Sequence, residues 1–139
     1  MISLKTHNIL DYVIGVVLIL SPSLFGFSAV VAARNAFLIY GLAIVGYSLF
    51  TDYYYSFAKL ISIRNHMALD ASLGVILLIS PWLIGYSTVL TSAQLVLHFI
   101  LGLGAIALAT FTDRNMMQLE VLPKERPLES KDRDTHKVA

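Results

Sequence analysis

His7 and Asp11 stand four residues apart in an apolar stretch, and His66 and Asp70 repeat the pair further along the chain. On a helix, positions i and i+4 share one face, and Gly15 and Gly74 extend each set by four more residues along that face. An imidazole beside a carboxylate can do three kinds of work. It can act as a polar clasp, each aspartate near a helix N-terminus and hydrogen-bonded to histidine or to an opposite helix. It can relay protons or cations, because histidine titrates near neutral pH and a neighbouring carboxylate tunes it. Two histidines and two aspartates can also supply four N/O ligands to zinc. The clasp is the preferred reading, since intramembrane acids are expensive unless paired and polar contacts commonly hold membrane helices together.

Other chemistry finds little support in the residues. The chain has no cysteine, which removes disulfides, thiolate metal sites and cysteine nucleophiles. No GxSxG, HExxH, Walker loop or GxGxxG occurs; Gly102-Leu-Gly104 lies within an apolar run and has no third glycine. A net charge of +1 offers no basic face for nucleic acid. The sequence therefore predicts no catalytic residue, no cofactor and, on the preferred reading, no metal ligand.

The elements that position the His/Asp pairs follow from composition. Of 139 residues 57% are hydrophobic and 14% charged, against roughly 45–50% and about 25% in soluble domains. Twelve of the 19 charged residues fall between Asp113 and Ala139. The remainder is a membrane composition with a polar tail. The 42 uncharged residues between Asp70 and Asp113 would form one helix about 63 Å long, twice what a bilayer core of about 30 Å requires. Two crossings are implied there, with Ser80-Pro81 marking the break. The first half has the same layout around Ser21-Pro22. The expectation is an all-α polytopic membrane protein with four spans, at about 4–20, 34–52, 64–79 and 92–112. They form one hairpin over 1–58 and a second over 59–113, followed by a cytoplasmic tail at 114–139.

Lys5, the run Val13 to Leu20 and the small residues Ala29 to Ala33 resemble a secretory leader. Asp11 ahead of the apolar run, and recurrence of the pattern inside the chain, argue against one.

The two halves repeat. Shifted by 59 residues, 11 of the 22 positions from His7 to Ser28 are identical, among them His7/His66, Asp11/Asp70, Gly15/Gly74, Ser21-Pro22/Ser80-Pro81 and Gly26/Gly85. The second helices align at a shift of 61, pairing Gly41 with Gly102 and Phe50-Thr51-Asp52 with Phe111-Thr112-Asp113. This reads as a duplicated hairpin, whose copies should be related by a pseudo-two-fold axis along the membrane normal.

The signature HxxxDxxxG followed by SPW and a glycine three residues on, carried by His66, Asp70, Gly74, Ser80, Pro81, Trp82 and Gly85, resembles the SPW repeat family of small integral membrane proteins. The first copy matches with His7, Asp11, Gly15, Ser21, Pro22 and Gly26, and has Ser23 in place of tryptophan. The resemblance implies two repeats of the hairpin and names no chemistry.

Ser-Pro-x-x-x-Gly predicts a separate one-turn helix, capped by serine, begun by proline and ended by glycine. It would turn the chain at the outer interface, with Trp82 at headgroup level. Gly15, Gly41, Gly74 and Gly102 are expected to pack helices closely. His98 shares a stripe with Gly102, Ala105 and Ala109 and is expected to bond a neighbouring helix. Arg34 should snorkel to the outer interface. Tyr53, Tyr54, Tyr55 and Phe57 at one end, and Trp82 and Tyr86 at the other, read as interfacial belts. The tail, with Pro123, Pro127 and interleaved charges, reads as solvated, its first segment able to lie along the membrane surface.

These readings converge on a structural or accessory protein of the bacterial cytoplasmic membrane, associated with lipid as a homo-oligomer or as a subunit of a larger complex. The alternative is a small proton- or cation-conducting protein using His7, Asp11, His66 and Asp70. Nine of the ten basic residues lie on one side of the four-span topology, Arg34 alone opposite, which predicts cytoplasmic termini. A reporter fused after Ala139 should accordingly read as cytoplasmic; an external signal would overturn both span count and orientation.

Overall fold

A computed structural model describes residues 1–113; the expected polar tail at 114–139 lies outside them. Four helices follow one another: α1 (Leu4–Leu24), α2 (Val31–Leu49), α3 (Ile63–Leu83) and α4 (Ser92–Phe111). Each is long and apolar enough to cross a membrane. Their burial is that of a membrane bundle. Val13, Val16, Leu20, Ile39, Leu42, Val75, Ile79, Ile100 and Leu103 are exposed, while His7, Asp11, Ser48, His66, Asp70 and His98 are buried. Apolar outside and polar inside is stable only where the surroundings are lipid. The chain is an all-α integral membrane protein.

Side-chain caps mark three of the four helix starts. Ser3 and Ser62 accept the backbone N–H groups of Thr6 and Asn65, at 3.1 and 3.3 Å. Thr91 and Gln94 form a reciprocal capping box. The Gln94 Nε2 amide also donates to the Phe25 carbonyl at 2.9 Å, tying the start of α4 to the end of α1.

The Ser-Pro segments differ from the expected separate turn. Pro22 and Pro81 lie inside α1 and α3, whose last turns they form, so these helices run to Leu24 and Leu83. Ser21 and Ser80 do not cap; their hydroxyls donate back to Val17 and Leu77 carbonyls at 2.7 and 2.8 Å. A proline this near a helix end removes a single ladder bond, and a back-bonding serine supplies a donor to the same turn. The stop comes from Gly26 and Gly85, with φ of 72° and 82°. There Phe27 N–H and Tyr86 N–H return to the Pro22 and Pro81 carbonyls, at 3.0 and 2.9 Å. That is the six-to-one bond of a Schellman stop, which requires the left-handed residue that glycine adopts at least cost. At the other end of the bundle α2 stops at Leu49 instead of 52, and it begins at Val31, ahead of Arg34.

Within each hairpin the helices touch backbone to backbone. A Cβ placed on Gly41 would lie 2.6 Å from the Gly15 carbonyl oxygen, and one on Gly74 or Gly102 would lie 2.8 Å from the other's. The helices of each hairpin pack most extensively on each other, and α2 against α3 is the main helix contact between hairpins. Two short backbone bridges join the ends. Ile2, just before α1, pairs with Thr112 after α4; Ile61, just before α3, pairs with Thr51 after α2. Each bridge delivers a threonine to the helix that carries a histidine.

The glycine contacts yield a direct check. Gly74→Ala should destabilise the detergent-solubilised protein by about 1–3 kcal/mol, the usual cost of overpacking. Gly104→Ala, where a Cβ meets nothing within 4 Å, should be neutral or stabilising by up to about 1 kcal/mol through helix propensity. Unfolding midpoints of the two variants measure the contrast.

Candidate functional site

α1 and α3 each present a histidine in their first turn and an aspartate one turn on, facing inward. The two pairs meet in the centre and exchange partners. His7 Nε2 lies 2.9 Å from Asp70 Oδ2 on the other hairpin and 3.3 Å from Asp11 Oδ1 on its own helix. His66 Nε2 lies 3.0 Å from Asp11 Oδ2 and 3.2 Å from Asp70 Oδ2. The imidazole rings meet edge to face at 5.6 Å. Both histidines are fully buried, and the aspartates nearly so.

The opposite ring nitrogens are held by the bridged threonines. Thr112 Oγ1 donates its proton to the Leu108 carbonyl at 2.6 Å and lies 2.7 Å from His7 Nδ1. Thr51 Oγ1 donates to the Tyr47 carbonyl at 2.7 Å and lies 2.8 Å from His66 Nδ1. A hydroxyl has one proton. With that proton spent on a backbone carbonyl, each threonine oxygen can only accept, so each Nδ1 must be an N–H donor. Both Nε2 atoms are thereby turned toward the carboxylates, and each has one proton position to share between the two carboxylates it faces.

The carboxylates have further support. Tyr47 donates its hydroxyl to Asp70 Oδ1, and Ser48 donates to Asp11 Oδ2 at 3.4 Å. The Tyr53 ring packs on His66 and His7, with centroids at 4.7 and 5.9 Å. Tyr53 lies past the end of α2, where burial, followed by the charges of Asp11 and Asp70, pushes its hydroxyl pKa upward and keeps it a neutral phenol. That hydroxyl and the Asn8 side-chain Nδ2 are buried without a hydrogen-bond partner among the described residues.

Tyr53 is thus part of the buried site and not of an interfacial belt; Tyr54 and Phe57 are strongly exposed. Tyr86 is likewise buried. Its hydroxyl lies 2.5 Å from Ser80 Oγ and 3.3 Å from His98 Nε2, and burial raises its pKa. His98 Nδ1 donates to the Gln94 carbonyl at 2.7 Å on its own helix, so the bond to a neighbour is made to the loop after α3. Phe27 and Phe37, the counterparts of Tyr86 and His98 in the first repeat, stack edge to face at 5.0 Å. A hydrogen bond in one hairpin is replaced by a ring contact in the other. Trp82 is half exposed, its ring edge on Phe99 at 5.8 Å. Arg34 reaches the Ser28 carbonyl and Asn35 Oδ1, at 3.5 and 3.4 Å.

Residue spacing did not single out Thr51, Thr112, Tyr47, Ser48 or Tyr53 as site residues. The threonines carried one usable signal, the repeated Phe-Thr-Asp at the end of each hairpin. Tyr47 and Ser48 had none, since Leu108 and Ala109 occupy the equivalent places.

Among the described residues the hydroxyls nearest the histidines, those of Thr112 and Thr51, donate to backbone carbonyls. The arrangement can join hairpins, hold shared protons or bind a cation. A family model described as the SPW repeat domain matches residues 5–112. No curated protein matches the chain, and no solved structure does. The match takes in both His/Asp pairs, both Ser-Pro stops and the two threonines that hold the histidines, and on that basis the chain belongs to the SPW repeat domain family.

Proposed function

We propose that the protein is a structural or accessory subunit of the bacterial cytoplasmic membrane, without catalytic activity, in which the His/Asp cluster clasps two duplicated hairpins. Both termini are cytoplasmic in this reading, and the protein works as a homo-oligomer or within a larger membrane complex. One observation carries it: His7 bonds Asp70, His66 bonds Asp11, and every ring nitrogen of the two histidines is committed to the protein's own groups. A set of polar groups bonded across two hairpins in this way joins helices.

Proton or cation conduction is the second reading, favoured by a cavity of about 20 Å³ that runs from Asp70 toward Leu18 and Leu77. It has room for about one water. Its other lining residues are Ile14, Tyr40, Ile44, Leu73, Gly74, Leu101 and Ala105, too apolar to hold a water chain by the usual requirement of two to four polar partners.

Three measurements test the accessory reading, and ion flux separates it from conduction. Asp70→Asn should lower the unfolding stability by an amount between about 1 kcal/mol, typical of an interhelical hydrogen bond in a membrane, and about 3–5 kcal/mol, the cost of stranding a buried charge. Wild-type proteoliposomes should show no proton or cation flux above empty vesicles. A flux that disappears in the Asp11→Asn/Asp70→Asn double variant while assembly survives would sink the accessory reading. Purification from native membranes in mild detergent should give an assembly larger than one chain.

A further inference from the structure

We propose that the cluster of His7, Asp11, His66 and Asp70 is a binding site for one divalent transition ion, zinc foremost, which joins the two hairpins through four ligands. The proposal rests on reading the cluster as the clasp between hairpins and names the occupant that completes it.

Three features point there. The first is spacing. One donor atom from each of the four buried residues can be chosen so that all lie within 4.8 Å of one another. The four imidazole–carboxylate separations are 2.9, 3.0, 3.2 and 3.3 Å. Ligands about 2.0–2.1 Å from a tetrahedral ion stand about 3.3 Å apart, which the imidazole–carboxylate contacts already match, while the wider spacings of the set, up to 4.8 Å, must close by as much as about 1.5 Å when an ion enters.

The second is the hydrogen bonding behind the histidines. A metal-bound imidazole nearly always donates its other N–H to a fixed acceptor. Thr112 and Thr51 are such acceptors, because their protons are committed to the Leu108 and Tyr47 carbonyls. Each Nε2 therefore presents a lone pair to the centre once the shared proton leaves. Tyr47 and Ser48 orient the carboxylates from outside in the same way.

The third is charge and unused capacity. Two neutral imidazoles, two carboxylates and one divalent ion sum to zero, which suits burial among membrane helices. Beside the cluster, the Tyr53 hydroxyl is buried and unpartnered among the described residues, a group able to bond a carboxylate or water displaced when an ion enters. Two nitrogen and two oxygen donors suit zinc and its first-row neighbours, and disfavour magnesium and calcium, which take oxygen ligands.

The test uses the full-length protein in detergent, stripped with a chelator and dialysed against zinc alone, with metal content measured per chain. One zinc per chain, with a raised unfolding midpoint, is expected. Cobalt in its place should give the intense visible bands of a tetrahedral site. Asp11→Asn/Asp70→Asn should abolish retention, and Thr112→Val, which keeps all four ligands, should weaken zinc affinity about 10–100-fold. Folded wild-type protein that retains no zinc would overturn the proposal, as would retention unchanged in the double variant. The clasp is judged separately by the metal-free protein: a midpoint that Asp70→Asn lowers without any metal sustains it even where zinc binding fails.

Discussion

A buried carboxylate in a membrane must find a partner, and in this chain it finds one on the other hairpin. His7 with Asp70 and His66 with Asp11 form the contact on which the rest of the architecture depends. The remaining helix contact between hairpins is chiefly α2 against α3, and lipid offers apolar helices no incentive to leave it for one another. Polar groups that lipid cannot satisfy supply the directional part of the association.

Everything at that end of the bundle serves the exchange. Ser3 and Ser62 start α1 and α3 where their first turns carry the histidines inward. The bridges of Ile2 to Thr112 and Ile61 to Thr51 bring each threonine to the histidine of the other hairpin. The crossings at Gly15/Gly41 and Gly74/Gly102 fix the angle between paired helices, and with it the position of the aspartates one turn closer to the termini. The opposite end is held by different means, with Schellman stops at Gly26 and Gly85 and an aromatic centre of Phe27, Phe37, Tyr86 and His98.

Much of this was legible in residue spacing. Four spans follow from the length of the uncharged runs, and the inward faces follow from His, Asp and Gly at intervals of four. Two kinds of error have physical causes. Ser-Pro predicts a break because proline lacks an N–H, yet one turn from a helix end only a single bond is lost and the helix continues. The position of Tyr53 and Tyr86 near span ends predicts interfacial aromatics; their burial depends on a histidine contributed by another helix, which local pattern does not encode. Tyr47 and Ser48 break the repeat, so internal comparison pointed away from them.

The account's central claim is that the clasp is made between hairpins. A double-mutant cycle on the unfolding free energy of His7→Phe and Asp70→Leu tests it most directly, with His7→Phe and Ile39→Ala, at an exposed lipid-facing position of α2, as the uncoupled reference. The cross-hairpin pair should show a coupling of roughly 1 kcal/mol or more; strictly additive effects would contradict the account.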